Sequence, residues 1–270
     1  MTSWRVWIVS VAALSAMCLG VARAEPLSLS QAINKAGRQR MLSQRIVKYY
    51  CLVGLGIDVH DARAELRIAI ERFESQMFEL RASPGDASVT PALDRVEVLW
   101  RDFDGIAGAS IHREGARRLA ALGEELLMAT DAVVLALEAL SQRPYARLVN
   151  ISGRQRMLSQ RMVKLYLLQA WGLGTVTTLD QMDRARNEFR GALSGLQSSA
   201  ENTAAIDRQL LRAVEQWQWL EGALRLGQQG TYFPGIVDDA AEKTLIIMER
   251  LTALYARLYE QRVAPLEGNQ

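Results

Sequence analysis

The sequence predicts an all-α protein built as two tandem up-down four-helix bundles, and three observations lead there. The 270 residues include only six prolines, carry no alternating apolar/polar runs of the kind strands show, and are rich in Ala, Leu, Arg and Glu. Apolar residues recur with a helical period in long segments separated by short breaker-rich stretches. Finally, the string GRQRMLSQRIVK (Gly37–Lys48) returns as GRQRMLSQRMVK (Gly153–Lys164), 116 residues later. At the same offset Asn34 matches Asn150, Tyr50 matches Tyr166, Gly56 matches Gly172, Phe73 matches Phe189 and Leu80 matches Leu196, so the chain is an internal duplication.

In the first copy the periodic segments are about Ser28–Leu55, Ala62–Arg81, Thr90–Ile106 and Arg113–Gln142, with GIDVHD, SPGDASV and GASIH between them. The second copy repeats the scheme at about Tyr145–Leu173, Leu179–Ala200, Thr203–Leu226 and Pro234–Arg262. Short connections between long amphipathic helices favour antiparallel neighbours, hence a bundle in each copy. Pro144 marks the junction, and because proline suits the first turn of a helix it is expected to open the fifth helix. The domains are read as residues 1–24, 25–143 and 144–270.

Residues 1–24 have the pattern of a secretory signal peptide: Arg5, an apolar run from Val6 to Leu19, and Ala22-Arg23-Ala24 as an A-x-A cleavage site. A retained N-terminal anchor is the other reading of this segment, and Ser15-Ala16-Met17 before Cys18 argues against lipid attachment. Cleavage would remove Arg5 and Arg23 and no acid, turning 32 basic and 30 acidic residues into an even 30 and 30. A near-neutral chain gives no support to nucleic-acid binding. The expectation is a soluble mature protein starting near Glu25, in the periplasm. Its only cysteine, Cys51, then has no intramolecular disulfide partner and falls on a helix face with Val47.

Placing the repeated string on a helix, at about 100° per residue, separates its arginines. Arg40 shares an apolar stripe with Ile33, Gln44, Val47 and Cys51, beside Gly37, whereas Arg38 and Arg45 lie on another line with Asn34 and Leu52. In the second copy Arg156 shares its stripe with Val149, Gly153, Gln160, Val163 and Leu167, and Arg154 and Arg161 are the peripheral pair. A guanidinium on an apolar stripe needs a carboxylate, carbonyls or an anion. No acid lies between Leu27 and Ile57 or between Tyr145 and Leu179, so the partner must come from another helix or from a ligand. If the two first helices meet, Arg40 and Arg156 face each other across a pseudo-twofold axis, and a bridging oxyanion would relieve their repulsion. A glycine inside a helix costs roughly 1 kcal/mol relative to alanine, so Gly37 and Gly153 imply close approach or a kink.

INKAGRQRMLSQRI (Ile33–Ile46) and VNISGRQRMLSQRM (Val149–Met162) resemble the signature of the PilJ-type domain, the N-terminal sensor domain of type IV pili methyl-accepting chemotaxis transducers. That domain is similar to the periplasmic sensor of Nar-type nitrate/nitrite kinases. The resemblance covers the mature chain as two tandem domains. It implies a periplasmic four-helix-bundle sensor whose arginine, matching Arg40 and Arg156, binds nitrate with its symmetry mate, near a glycine matching Gly37 and Gly153. Arg38, Gln39 and Gln44 depart from the residues the nitrate sensors carry. The sequence shows no kinase, HAMP or methyl-accepting region and no span after the bundles, so the duplication is expected to replace the homodimer, with a separate membrane-bound signalling protein as partner.

Two readings therefore stand. In the first, Arg40 and Arg156 bind a small inorganic anion, nitrate or nitrite, with Gly37 and Gly153 permitting approach, Gln44 and Gln160 as further donors, and Arg38, Arg154, Arg45 and Arg161 in a secondary role. In the second, the chain is a ligand-free interaction module for a membrane receptor, chemotaxis or type IV pilus component, with both arginines paired to acids such as Glu71, Glu97, Asp102, Glu188 or Glu215. No catalytic motif, cofactor fingerprint or metal-ligand spacing appears: His60 and His112 lie alone in loop-like segments. Trp100, Trp217 and Trp219 are expected in core or domain-interface packing.

Overall fold

The computed structural model describes residues 27–83, 87–141, 143–226 and 231–267, so the expected signal peptide and Cys18 lie outside the described residues. Eight helices run through the described chain: α1 Leu29–Gly54, α2 Val59–Ala82, α3 Thr90–Ala107, α4 Arg113–Ser141, α5 Pro144–Ala170, α6 Val176–Gln197, α7 Ala204–Leu226 and α8 Pro234–Glu267. All eight fall where the apolar periodicity puts them.

Local chemistry sets their ends. Ser28 caps α1 in a reciprocal capping box with Gln31, and Thr175 does the same for α6 with Thr178. Pro144 opens α5 after an extended Arg143. Helices α1 and α5 stop in the same way. Gly56 and Gly172 take left-handed backbone angles, φ 75° and 71°. The amides beyond them then fold back: Ile57 N–H donates to Leu52 O at 3.0 Å and Leu173 N–H to Leu168 O at 2.8 Å, which is the Schellman arrangement. A side chain at either glycine would be strained, so both copies kept it.

Within copy one, α1 packs on α2 and α4, and α3 on α4; within copy two, α5 packs on α6 and α8, and α7 on α8. The most extensive helix pairing in the molecule joins the copies, α1 against α5. Both central helices are therefore buried nearly all round, including polar residues. Each copy seals its second and third helices with one aromatic stack, Phe73 on Trp100 at 4.0 Å and Phe189 on Trp217 at 4.4 Å between ring centroids. Each also ties the connection leading into its last helix to its first helix through a tyrosine. The Tyr50 hydroxyl donates to Ser110 O and accepts from His112 N–H, and the Tyr166 hydroxyl accepts from Phe233 N–H at 2.7 Å. His112 Nδ1 in turn accepts from Gly115 N–H, a helix cap and not a ligand position. Cys51 is fully buried, as its helix face required.

Trp219 corrects an expectation. It is 76% exposed, because it stands two residues from Trp217 and two residues on a helix point about 200° apart.

The α1/α5 seam is tight at its end as well. A Cβ on Gly54 would sit 2.0 Å from the Trp171 indole, which lies just past α5. Overpacking against a rigid ring usually costs about 1–3 kcal/mol. Gly54→Ala is expected to lower the unfolding free energy by about that amount despite alanine's better helix propensity. Urea denaturation checks this, and a variant as stable as the parent would show that the seam can relax.

Candidate functional site

The repeated string lies in the middle of the α1/α5 pairing, and its two stripe arginines are brought together. Arg40 and Arg156 are both 0% exposed. The Nη2 atoms of both guanidiniums lie 3.3 Å from the point a Cβ on Gly37 would occupy; from the same point on Gly153 they lie 3.1 Å (Arg156) and 3.8 Å (Arg40). Two positive groups thus face each other in a gap that exists because neither glycine carries a side chain. Close approach, of the two alternatives for these glycines, is the one the geometry displays.

Each arginine also has acceptors from elsewhere. Arg40 Nη1 pairs with Asp131 of α4 at 2.6 Å, and its Nη2 donates to Asn150 Oδ1 of α5 at 2.8 Å. Arg156 Nη1 pairs with Glu249 of α8 at 2.9 Å, and its Nη2 donates to Asn34 O of α1 at 3.2 Å. None of the five carboxylates expected as partners reaches either buried arginine; Glu188 pairs with Arg154 instead. The reason is topological: the second helix of each copy meets another side of the string, at Gln39, Arg45 and Arg154, while the last helix faces the stripe that carries the buried arginine.

Those acids have a second task. Asp131 also holds Arg154 at 3.0 Å, and Glu249 also holds Arg38 at 2.7 Å. Each carboxylate thus clamps the buried arginine of its own copy and the peripheral arginine of the other. One layer along, each acid reaches only cations of the other copy. Glu242 of α8 pairs with Arg45 at 2.9 Å and Lys48 at 2.6 Å of α1, and Glu124 of α4 pairs with Arg161 at 2.6 Å and with Lys164 of α5. Asp238 adds a second acid for Lys48 at 2.6 Å, with no counterpart on Lys164. Arg38, Arg154, Arg45 and Arg161 are peripheral as expected, yet all are ion-paired between helices.

Sequence reasoning missed the lysines and the acids. Lys48 and Lys164, 0% and 1% exposed, are the final letters of the repeated string. The acids had a signal too: Glu124 and Asp131, like Glu242 and Glu249, are seven residues apart, which puts each pair on one helix face. The glutamines separate. Gln44 Nε2 donates to Gly123 O at 3.1 Å, so its amide is engaged with α4 rather than offered to the arginines. Gln160 is fully buried, and neither of its amide atoms has a partner.

Among the described residues the direct salt bridges of Arg38, Arg40, Arg154 and Arg156 go to three carboxylates, Asp131, Glu249 and Glu188, and Glu138 stands one step further out, accepting from the Asn150 amide that binds Arg40. Burial pushes the Arg40 guanidinium down to about 10, Asp131 opposes that, and Arg154 and Arg156 add to it. Arg156 is lowered by burial, against Glu249, with Arg38 adding to the fall. Arg40 Nε–H is buried with no acceptor. The other nitrogens of the two guanidiniums each have a protein acceptor. Among the described residues no cluster of His, Cys, Asp and Glu is arranged to hold a metal ion.

Comparison with protein families matches residues 24–123 and 140–233 to PilJ, described as the type IV pili methyl-accepting chemotaxis transducer N-terminal domain. No curated protein and no solved structure matches the chain. Among the described residues no helix is long and apolar enough to cross a membrane.

The pH response of this centre has a definite sign. Burial raises the Glu249 carboxyl, but Arg156 and Arg38 outweigh it and bring the group from 4.5 to about 2. A carboxylate depressed on folding adds stability above its unfolded value, and this is lost as pH falls through the folded one. Unfolding free energy should therefore drop between about pH 4.5 and 2, more steeply in the parent than in Glu249→Gln. At neutral pH that variant should be weaker by about 3 kcal/mol, since it leaves two guanidiniums short of an acid. Denaturant melts across the pH range read both effects; parallel curves would remove Glu249 from the account.

Proposed function

Because the chain belongs to the family of type IV pili methyl-accepting chemotaxis transducer N-terminal domains, carried twice, we propose that it is a periplasmic sensor module for a small inorganic oxyanion, nitrate or nitrite, held between Arg40 and Arg156. The family is one of signal-sensing helical domains, not of enzymes. The observation that carries the ligand reading is the pair of buried guanidiniums facing each other beside Gly37 and Gly153. Like charges in a low-dielectric interior repel strongly, and guanidiniums present planar donor sets that match planar oxyanions.

Binding would act through the acids. An anion accepting from Arg40 and Arg156 competes with Asp131 and Glu249 for the same donors, and so loosens α4 and α8 from the α1/α5 pair. Because each acid also holds an arginine of the other copy, both copies respond together. A separate membrane-bound signalling protein that touches α4 or α8 could read that change. The second reading, a ligand-free interaction module, is favoured by one observation: both buried arginines already have a carboxylate.

Thermal or chemical denaturation with nitrate, nitrite, sulfate and chloride separates the two. A ligand at 100 times its dissociation constant stabilises by about 2.7 kcal/mol. Nitrate or nitrite is expected to give a saturable gain in the parent and a smaller one in Gly37→Ala, whose methyl would crowd both Nη2 atoms at 3.3 Å. No saturable gain with any anion, or an undiminished gain in Arg40→Ala, leaves the interaction-module reading standing.

A further inference from the structure

A second recess lies outside the arginine pair. Helix α1 forms its floor, and α2 and α8, one from each copy, form its walls without packing closely on each other. Its volume is about 880 Å³, within the range of small-molecule sites.

The lining has three kinds of chemistry. Met41, Ile68, Leu245 and Ile246 give an apolar surface. Arg38, Arg45 and Lys35 are tied up in ion pairs, but Arg72 and Arg250 on the α2 and α8 walls enter no salt bridge among the described residues, and neither does Glu71. Gln76 also lines the recess. It is only 6% exposed, yet its amide oxygen is buried without a partner, a condition that costs free energy unless something supplies a donor.

These polar groups are not a by-product of the duplicated frame. At the equivalent positions of the counterpart trough over α5, Ser75, Gln76 and Glu79 become Gly191, Ala192 and Gly195 on α6, and Arg250 of copy two becomes Ala132 of copy one on α4. The acid Glu71 becomes the neutral Asn187, and Arg72 reverses its charge to Glu188. A Cβ built on Gly191 or Gly195 meets open space. The core positions on the same helices kept their character, with Phe73 and Phe189 both fully buried. Packing therefore does not require the polar set.

We propose that the trough between α2 and α8 is a binding site for a short hydrophobic peptide with free termini. Its carboxylate meets the unpaired guanidiniums of Arg72 and Arg250, its ammonium meets Glu71, a peptide N–H meets the Gln76 amide oxygen once that buried amide turns toward the trough, and its side chains lie on Met41, Ile68 and the two α8 residues. A lone inorganic anion leaves the apolar surface and Glu71 unused, and a lone apolar molecule leaves both arginines unmatched. The volume exceeds what one amino acid fills. The trough shares Arg38 and Glu249 with the Arg40/Arg156 centre, but the groups assigned to the peptide, Arg72, Arg250 and Glu71, take no part in that centre, so either reading can fail without the other.

The test is titration calorimetry of the full chain with the dipeptide Leu-Leu, its C-terminal amide and its N-acetyl form. Saturable binding of Leu-Leu is expected, about tenfold or more weaker for each blocked form and about tenfold or more weaker in an Arg72→Ala/Arg250→Ala double variant, as loss of a charge-assisted pair implies. Both side chains are exposed, so the variant should keep the parent's helical circular dichroism and melting temperature. No saturable heat with Leu-Leu up to millimolar concentration, equal affinity for the blocked forms, or an unchanged affinity in the double variant overturns the proposal.

Discussion

The centre of this protein is held by one electrostatic constraint: two guanidiniums are buried side by side where α1 crosses α5, and neither helix carries an acid there to balance them. Burying a cation without a partner is prohibitive, so α4 and α8 must deliver Asp131 and Glu249 to that point. This fixes which helices may lie beside the string and at what height. Lys48 and Lys164 impose the same demand eight residues along, met by Glu242, Asp238 and Glu124.

The result is a structure whose two copies are interlocked rather than merely adjacent. Asp131 and Glu249 each bind arginines from both copies, while Glu124 and Glu242 bind cations of the opposite copy. A pure hydrophobic seam would be indifferent to small slides along its axis; paired charges at two levels are not. Buried ion pairs are a weak source of net stability, but they penalise every misaligned alternative. That is a useful property for a signal-sensing helical module, because the same few pairs that define one arrangement can be traded for others.

Symmetry was then broken at the edges. Asp238 serves Lys48 alone, and Glu138 accepts from Asn150 where copy two has Ala256. The polar trough over α1 has a counterpart over α5 in which Ala192 and Gly195 stand where Gln76 and Glu79 line the first. Duplication left the interior charges nearly duplicated, since Asp131, Glu249, Glu124 and Glu242 all hold cations of the other copy, and released the outer walls to diverge.

The sequence by itself determined the eight helices, the start of α5 at Pro144 and the duplication, because apolar period, proline position and repeated strings are local properties of the chain. It also singled out Arg40 and Arg156 as the odd members of the string, since a helical wheel is enough to place a cation on an apolar stripe. It did not determine who answers them. Asp131 and Glu249 lie 91 and 93 residues away from their arginines, and any of several acids at helical spacing was an equal candidate until packing chose the last helix of each copy. The donor role of Gln44, the outward turn of Trp219 and the trough walled by α2 and α8 were likewise decided by tertiary structure. Each depends on which helix faces which, and that follows from the summed burial and charge pairing of the whole chain, which no local window contains.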